Sequence, residues 1–206
     1  MFARLSVLAL CAALIATPAL AKEKAAFACD GIFGPDSSEA LLIETYGADN
    51  VLTEMTDGPE GSTILITKVF PDDPARMLQF SWVDEAEHTG LGYVDLPPTM
   101  AGPDGVRVGM SVAEVEAING APFTIGGFWW DYGGYASVQT GKFANVDDGC
   151  YISLRFAPAD RDYGNLDVSA VSGEVTIPSD EPLLEALDVR LQVLSISYPY
   201  PEGDDW

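Results

Sequence analysis

Positive charge and long apolar runs are scarce in this sequence. Its 206 residues include 10 lysines and arginines against 32 aspartates and glutamates, for a formal net charge of −22. Nucleic acids and anionic lipids are polyanions, so this excess of acid argues against both as partners and would attract a basic one. The favoured alternative is that the charge serves only to keep the protein in solution. No apolar run beyond residue 21 reaches the roughly 18–20 residues of a membrane helix, and we expect no transmembrane segment.

The motifs of several enzyme classes are missing as well. The single histidine, His88, excludes a multi-histidine metal site, and its polar neighbours favour a surface residue over a catalytic one. Neither G-x-x-x-x-G-K-[ST] nor G-x-G-x-x-G occurs, which excludes the common nucleotide-binding loops. With 32 carboxylates, chance pairs are inevitable and nominate no acid or base. We therefore predict no catalytic residue, no metal ion and no cofactor, and we do not expect an enzyme.

One acidic segment faintly resembles a calcium loop. Asp160–Asp167 places oxygen ligands at alternating positions, but it lacks the glycine at the sixth place and the terminal bidentate glutamate. A solvated loop is the favoured interpretation, and a weak calcium site stays open as the alternative.

The first 21 residues are typical of a secretory signal peptide. Arg4 supplies the positive start, residues 5–15 the short apolar run, and Ala19-Leu20-Ala21 the small-residue cleavage site. We expect export to the periplasm or the medium. An alternative is a lipid anchor at Cys29, although the polar residues between the apolar run and this cysteine do not form a lipobox.

Two cysteines follow the predicted signal peptide. Cys29 and Cys150 would enter an oxidising compartment, where an even number of cysteines is typical of disulfide bonding. We predict a disulfide between them. Cys150 also begins a segment, 150–156, whose residues alternate between apolar and polar, so we expect a strand with Cys150 on its buried face.

Two segments carry helix signals at matching positions. Asp36 and Glu39 have capping-box spacing before an apolar face, which predicts a helix near 37–46 that stops at Gly47. The same signals, Ser111 with Glu114 and a later glycine at 120, predict a second helix near 111–119. Ser38 and Gly47 are spaced as Ser111 and Gly120 are, and the offset of 73 residues suggests a duplicated unit.

Strand signals follow each helix. Residues 63–70 and 76–84 read as a hairpin around a Pro-Asp-Asp-Pro turn, and three candidate strands follow the second helix, at 123–125, 130–138 and 150–156. A final strand at 189–198 changes its apolar phase between Val193 and Leu194, which predicts a β-bulge.

These elements predict an α+β fold with two helix-then-antiparallel-sheet units in tandem and the helices packed on one face of the sheet. The expected organisation is a signal peptide at 1–21, a first unit at 22–98, a second unit at 99–201 and an acidic tail at 202–206. Whether the two units share one sheet stays open.

The second helix carries a family resemblance. Residues 108–122, VGMSVAEVEAINGAP, resemble the GMS/T-x-x-E-V-x-x-x-x-G-x-P signature of small helix-plus-hairpin envelope proteins. These include the outer-membrane-assembly lipoproteins of the SmpA/OmlA type and the secreted β-lactamase-inhibitor proteins. The longer stretch 105–134 is similar to exported bacterial proteins of unassigned activity. The resemblance implies a helix-turn-strand fold and a scaffolding or inhibitory role, and it implies no catalytic residue.

Aromatic residues are concentrated in Gly126–Tyr135. If this segment is a strand, Trp130 and Tyr132 share one face, and Trp129, Asp131 and Tyr135 share the other. Rigid aromatic side chains among glycines are typical of a surface that binds protein or glycan, and burial of both faces in the core is the alternative.

We therefore predict an exported, soluble, non-enzymatic binding protein that engages another envelope or secreted protein, basic in charge, through an aromatic sheet face. The alternative is a cell-wall glycan-binding or hydrolytic module that uses the same aromatic residues and a carboxylate pair. A concave site with two carboxylates beside the aromatics would favour the alternative. The oligomeric state stays open.

Overall fold

The computed structural model describes residues 28–145 and 149–199, apart from the side chain of Pro59. Three α-helices occupy α1 (Glu39–Tyr46), α2 (Val112–Asn119) and α3 (Pro182–Ala186). The nine strands are β1 (Val51–Asp57), β2 (Thr63–Val69), β3 (Leu78–Asp84), β4 (Thr89–Asp95), β5 (Thr124–Gly126), β6 (Ala136–Ser137), β7 (Tyr151–Ala157), β8 (Thr176–Pro178) and β9 (Arg190–Ser197).

Antiparallel pairing joins these strands into two sheets. Six strands form the larger sheet in the order β1-β2-β3-β4-β9-β7, and three form the smaller one in the order β6-β5-β8. The predicted α+β class with a large antiparallel sheet is confirmed. Since β4 pairs with β9, strands from both predicted units belong to one sheet, which answers the question that the sequence left open.

Local signals predicted both long helices well. Ser111 caps α2 in a complete capping box with Glu114, and Gly120 ends the helix in the left-handed conformation. In α1 the N-cap is Ser38, whose Oγ accepts a hydrogen bond from the Leu41 backbone, and not the predicted Asp36. Serine is as good a cap as aspartate, so residue preference alone did not separate the two.

The predicted hairpin and the final strand are confirmed, and β3 buries the alternate residues Leu78, Phe80 and Trp82 as expected. The predicted bulge exists, but its position differs. Arg155 pairs with Val193 and Phe156 with Leu191, so Gln192 of β9 is the extra residue. The strands β1, β4 and β8 and the short α3 were not anticipated, because their mixed residue patterns do not alternate cleanly.

The predicted strand at 130–138 is wrong over most of its length. Residues 129–134 form bends and turns, Tyr135 makes one isolated bridge to Arg155, and only Ala136–Ser137 is a strand. The aromatic residues therefore do not alternate across a sheet. Glycines flank the segment on both sides, and Gly134 adopts a φ of +84°, which favours a turn over an extended strand.

A disulfide ties the start of the described chain to the end of the large sheet. Cys29 and Cys150 are bonded, as predicted, with their Cα atoms 6.0 Å apart, and both side chains are buried. The hydroxyl of Tyr198 also donates to the Cys29 carbonyl. The predicted signal peptide (1–21) and acidic tail (202–206) lie outside the described residues. Within 28–145 and 149–199, no helix is long and apolar enough to cross a membrane.

Candidate functional site

The segment Gly126–Tyr135, termed the aromatic loop below, lies tightly against its neighbours. A Cβ on Gly134 would stand 2.0 Å from the Phe156 carbonyl oxygen, and one on Gly127 would stand 2.2 Å from the Gly173 carbonyl oxygen. Only glycine permits such close approach of two backbones. Its glycines therefore hold the aromatic loop against β7 and against the chain before β8.

Arg155 of β7 fixes the far side of the aromatic loop. Its Nε and Nη2 donate to the carbonyl oxygens of Gly133 and Asp131, each over 3.0 Å, and its guanidinium lies 5.0 Å from the centre of the Tyr135 ring. Within the loop, Nε1 of Trp130 donates to the Gly127 carbonyl over 2.9 Å. The loop is thus held by side-chain hydrogen bonds where it has no sheet ladder.

The structure separates the five predicted binding residues by exposure. Trp129 is 54% exposed, Tyr132 48% and Tyr135 45%, and Asp131 is exposed beside them. Trp130 is only partly exposed, and its ring packs edge-on against Tyr132 at a centroid distance of 5.6 Å. The four exposed side chains belong to one loop, whereas the predicted strand placed Tyr132 on the face opposite Trp129, Asp131 and Tyr135.

Two details of the aromatic loop were invisible in the sequence. Trp129 adopts a φ of +64°, a conformation that a bulky residue seldom takes without a functional or structural reason. The hydroxyl of Tyr132 donates to Glu60 over 2.9 Å, which connects the loop to the turn between β1 and β2. This hydrogen bond and the charge of Glu60 raise the pKa of Tyr132.

A cleft of about 410 Å³ opens beside the aromatic loop. Its lining includes Trp129 and Trp130 of the aromatic loop, Tyr163, the chain from Ala157 to Arg161, and Gln192 of the β-bulge. The rings of Trp129 and Tyr163 are 6.5 Å apart and roughly perpendicular. The cleft therefore has five aromatic residues in its lining and a volume in the range of small-ligand sites.

The charged groups that line this cleft are two arginines and one aspartate. Arg155 and Arg161 contribute guanidinium groups, and Asp160 contributes the only carboxylate among the lining residues. Nη2 of Arg161 donates to the Ala186 carbonyl, and its guanidinium lies 5.5 Å from the centre of the Tyr163 ring. Neither arginine was predicted from the sequence, because nothing in the local pattern indicates that β7 and the following loop meet the aromatic loop.

The acidic segment Asp160–Asp167 uses its carboxylates locally. Asp162 accepts a hydrogen bond from the Gly164 backbone and Asp167 accepts one from the Ser169 backbone. The Ser169 hydrogen bonds lower the pKa of Asp167. Across the described part of the chain, no group of three or more His, Cys, Asp or Glu side chains is arranged to hold a metal ion.

His88 is partly exposed in the turn before β4, and it has a specific partner there. Its Nδ1 lies 2.5 Å from Glu39 Oε2 at the start of α1, and Thr53 donates to the other oxygen of Glu39. Burial favours a higher pKa for Glu39, but the hydrogen bonds from Thr53 and His88, with the charge of His88, outweigh it and lower the pKa. The pair joins α1 to the turn before β4.

A further carboxyl group with a shifted pKa, that of Asp95, lies outside the cleft. Burial raises the pKa of Asp95, and the hydrogen bond that it accepts from Ser195 over 2.5 Å only partly opposes this effect. Asp95 belongs to β4 and pairs with Ser195 of β9, where the first four strands meet the last two. It is a feature of the sheet and does not supply a second carboxylate to the cleft.

Neither protein-family models, nor curated proteins, nor solved structures provide a match to the chain.

Proposed function

We propose that this protein is an exported, non-enzymatic binding protein that engages another envelope or secreted protein through its aromatic loop. One observation carries the proposal. Trp129, Tyr132 and Tyr135 expose about half of their side-chain surface on a loop that Arg155 and tightly packed glycines hold in place. Exposed aromatic side chains that are already ordered offer contact area at a low entropic cost, as in binding hot spots.

Charge supports a basic partner. The formal charge of −22 attracts a positively charged protein over about 8–10 Å at physiological salt, and Asp131 and Glu60 place carboxylates beside the exposed rings. Export is supported by the buried Cys29–Cys150 disulfide, which an oxidising compartment maintains. The same bond occupies the sulfur that a lipid anchor at Cys29 would need.

Affinity capture from periplasmic and medium extracts tests this proposal, with three matched baits. Wild type and Tyr151→Ala should retain the same partner, because Tyr151 is a 57% exposed aromatic outside the loop. Trp129→Ala should lose it. Moderate salt should weaken capture by the first two baits. A partner held equally by all three baits would place the interface elsewhere.

The cleft favours a second candidate, the cell-wall glycan-binding or hydrolytic module. Trp129 and Tyr163 present aromatic rings to a concave space, which suits a sugar ring better than a flat protein surface. For hydrolysis the cleft would need a second carboxylate beside Asp160, so binding without hydrolysis is the better-supported form. A titration with cell-wall oligosaccharides that shifts the Trp129 and Trp130 indole resonances would favour this candidate.

We also propose that the fold is a tandem repeat, with α1 and α2 on one face of the large sheet, as in the helix-plus-hairpin envelope proteins that residues 108–122 resemble. Its support is a repeated contact. The N-cap Ser38 bridges Thr89 at the start of β4, and the N-cap Ser111 bridges Arg190 at the start of β9. When α1 with β4 is superposed on α2 with β9 in a crystal structure, the two helices should lie on the same face of the large sheet. Helices on opposite faces would contradict the proposal.

A further inference from the structure

The cleft beside the aromatic loop has an excess of basic side chains, although acidic residues outnumber basic ones in the chain as a whole. Elsewhere in the described chain most basic side chains are neutralised, since salt bridges to carboxylates occupy Lys68, Arg76, Lys142 and Arg190. Arg155 and Arg161 form no salt bridge with a described carboxylate, although the chain has 32 acidic residues. With Asp160, the cleft holds two positive charges against one negative charge.

Both guanidinium groups keep hydrogen-bond donors for a ligand. A guanidinium offers five N–H donors. Arg155 uses Nε and Nη2 on two backbone carbonyls, and Arg161 uses Nη2 on the Ala186 carbonyl. Their contacts with the rings of Tyr135 and Tyr163 limit their movement. Ordered guanidinium groups with free donors favour a carboxylate, which they bind by charge-assisted hydrogen bonds.

The side chains that line the cleft indicate more about the ligand than its charge. The ring of Trp129, held at a φ of +64°, and that of Tyr163 offer apolar faces, and Gln192 and Asp160 offer polar atoms. A sugar ring matches this combination, with C–H groups for the aromatic faces and hydroxyl groups for the polar atoms. The volume of about 410 Å³ limits the occupant to a small ligand.

From these observations we infer that the cleft binds a saccharide that carries one carboxylate, the chemical class of the uronic acids. The inference rests on the glycan-binding candidate and names its ligand class. A long polyanion is disfavoured, because the net charge of −22 repels each added negative charge, whereas a single carboxylate meets Arg155 and Arg161 directly.

Nuclear magnetic resonance titration of the ¹⁵N-labelled protein tests the inference, with the indole N–H groups of Trp129 and Trp130 as reporters. The probes are cellobiouronic acid, its methyl ester and cellobiose. All three have two sugar rings, but only cellobiouronic acid carries a negative charge. Cellobiouronic acid should bind about tenfold more tightly than the other two, the effect expected of a charge-assisted hydrogen bond.

The variants separate the cleft from general charge effects. Arg161→Gln should weaken binding of cellobiouronic acid about tenfold and so remove most of its advantage over cellobiose. Arg76→Gln is the matched control, because Arg76 also lies over an aromatic ring, that of Phe70, outside the cleft. It should change neither affinity. The methyl ester removes the charge from the ligand and needs no variant, so the test stands even if Arg161→Gln disturbs folding.

The outcomes distinguish a failure of the carboxylate inference from a failure of the glycan-binding candidate. Equal affinities for the acid, its ester and cellobiose would overturn the carboxylate inference and leave a neutral glycan-binding site. No indole shift with any saccharide would overturn the inference together with the glycan-binding candidate. Equal shifts with sodium acetate and cellobiouronic acid would overturn recognition of the sugar ring.

Discussion

The two halves of the large sheet start alike and are completed differently. After α1, four strands follow in sequence and pair as neighbours, β1 to β4, with short connections. After α2, β5, the aromatic loop and β6 precede β7, and residues 158–189, which include β8 and α3, intervene between β7 and β9. These long connections surround the cleft. The comparison shows a regular half that supplies the scaffold and an elaborated half that carries the candidate site, as expected for loops on a rigid frame.

The halves also use their buried polar groups differently. In the first half, a chain of hydrogen bonds joins His88, Glu39, Thr53, Thr67 and Trp82 and so connects α1 with three strands. In the second half, Nε and Nη2 of Arg155 donate to backbone carbonyls of the aromatic loop. Polar contacts thus tie regular elements together in one half and fix a loop in the other.

The largest effect is expected from the disulfide, which ties residue 29 of the first half to residue 150 of the second. Replacing Cys29 and Cys150 by serine should lower the free energy of unfolding by about 4 kcal/mol, because the bond closes a long loop in the unfolded chain. Urea denaturation measures the loss. Reducing agent should destabilise wild type and leave the double variant unchanged. A loss below about 1 kcal/mol would show that the halves hold together without the bond.

The next effect concerns the regular half alone. Because Thr53 donates its hydroxyl proton to Glu39, Thr67 must donate to Thr53 while it accepts from Nε1 of Trp82. Thr67→Val should leave these buried groups unsatisfied and cost about 2 kcal/mol in chemical denaturation. Thr63→Val, at an exposed position of the same strand, is the control and should be nearly neutral. Equal effects of the two would mean that the hydrogen-bond chain does not stabilise the first half.

A smaller, pH-dependent effect is expected where the halves meet. Burial raises the pKa of Asp95 above its ordinary value of 3.8, so the folded state holds this proton more tightly than the unfolded state. Protonated Asp95 therefore stabilises wild type at low pH, and this contribution is lost as the pH rises from about that value through the raised pKa. Asp95→Asn should remove this loss. The free energy of unfolding of the variant, minus that of wild type, should increase from pH 3 to pH 7, and a difference independent of pH would contradict this.

The smallest stability effect is expected in the aromatic loop. Trp129→Gly should change the free energy of unfolding by less than about 1 kcal/mol, because glycine relieves the positive φ and the lost indole is half exposed. Tyr135→Gly, at a position without positive φ, should destabilise more. Thermal denaturation compares them. If Trp129→Gly is the more destabilising variant, the tryptophan is retained for folding and not for binding.

Sequence patterns predicted the elements whose determinants are local. The cap at Ser111, the stop at Gly120, the alternation of Leu78, Phe80 and Trp82 and the pairing of Cys29 with Cys150 all follow from short-range rules or from the cysteine count. The strand predicted over the aromatic segment is wrong for a physical reason. Strand propensity rewards aromatic residues, but glycines at 126, 127, 133 and 134 and a left-handed Trp129 turn the chain away from a ladder.

The sequence by itself therefore determined both ends of α2, the C-terminal end of α1, the main hairpin, the disulfide pair and the set of aromatic residues to examine. Tertiary structure alone decided that β9 lies between β4 and β7, and that the aromatic loop meets Arg155, Arg161 and Tyr163 around one cleft. The reason is the distance along the chain over which each kind of interaction acts. Caps, turns and alternation act within a few residues, whereas strand order and a cleft between distant loops depend on which surfaces pack when the whole chain folds.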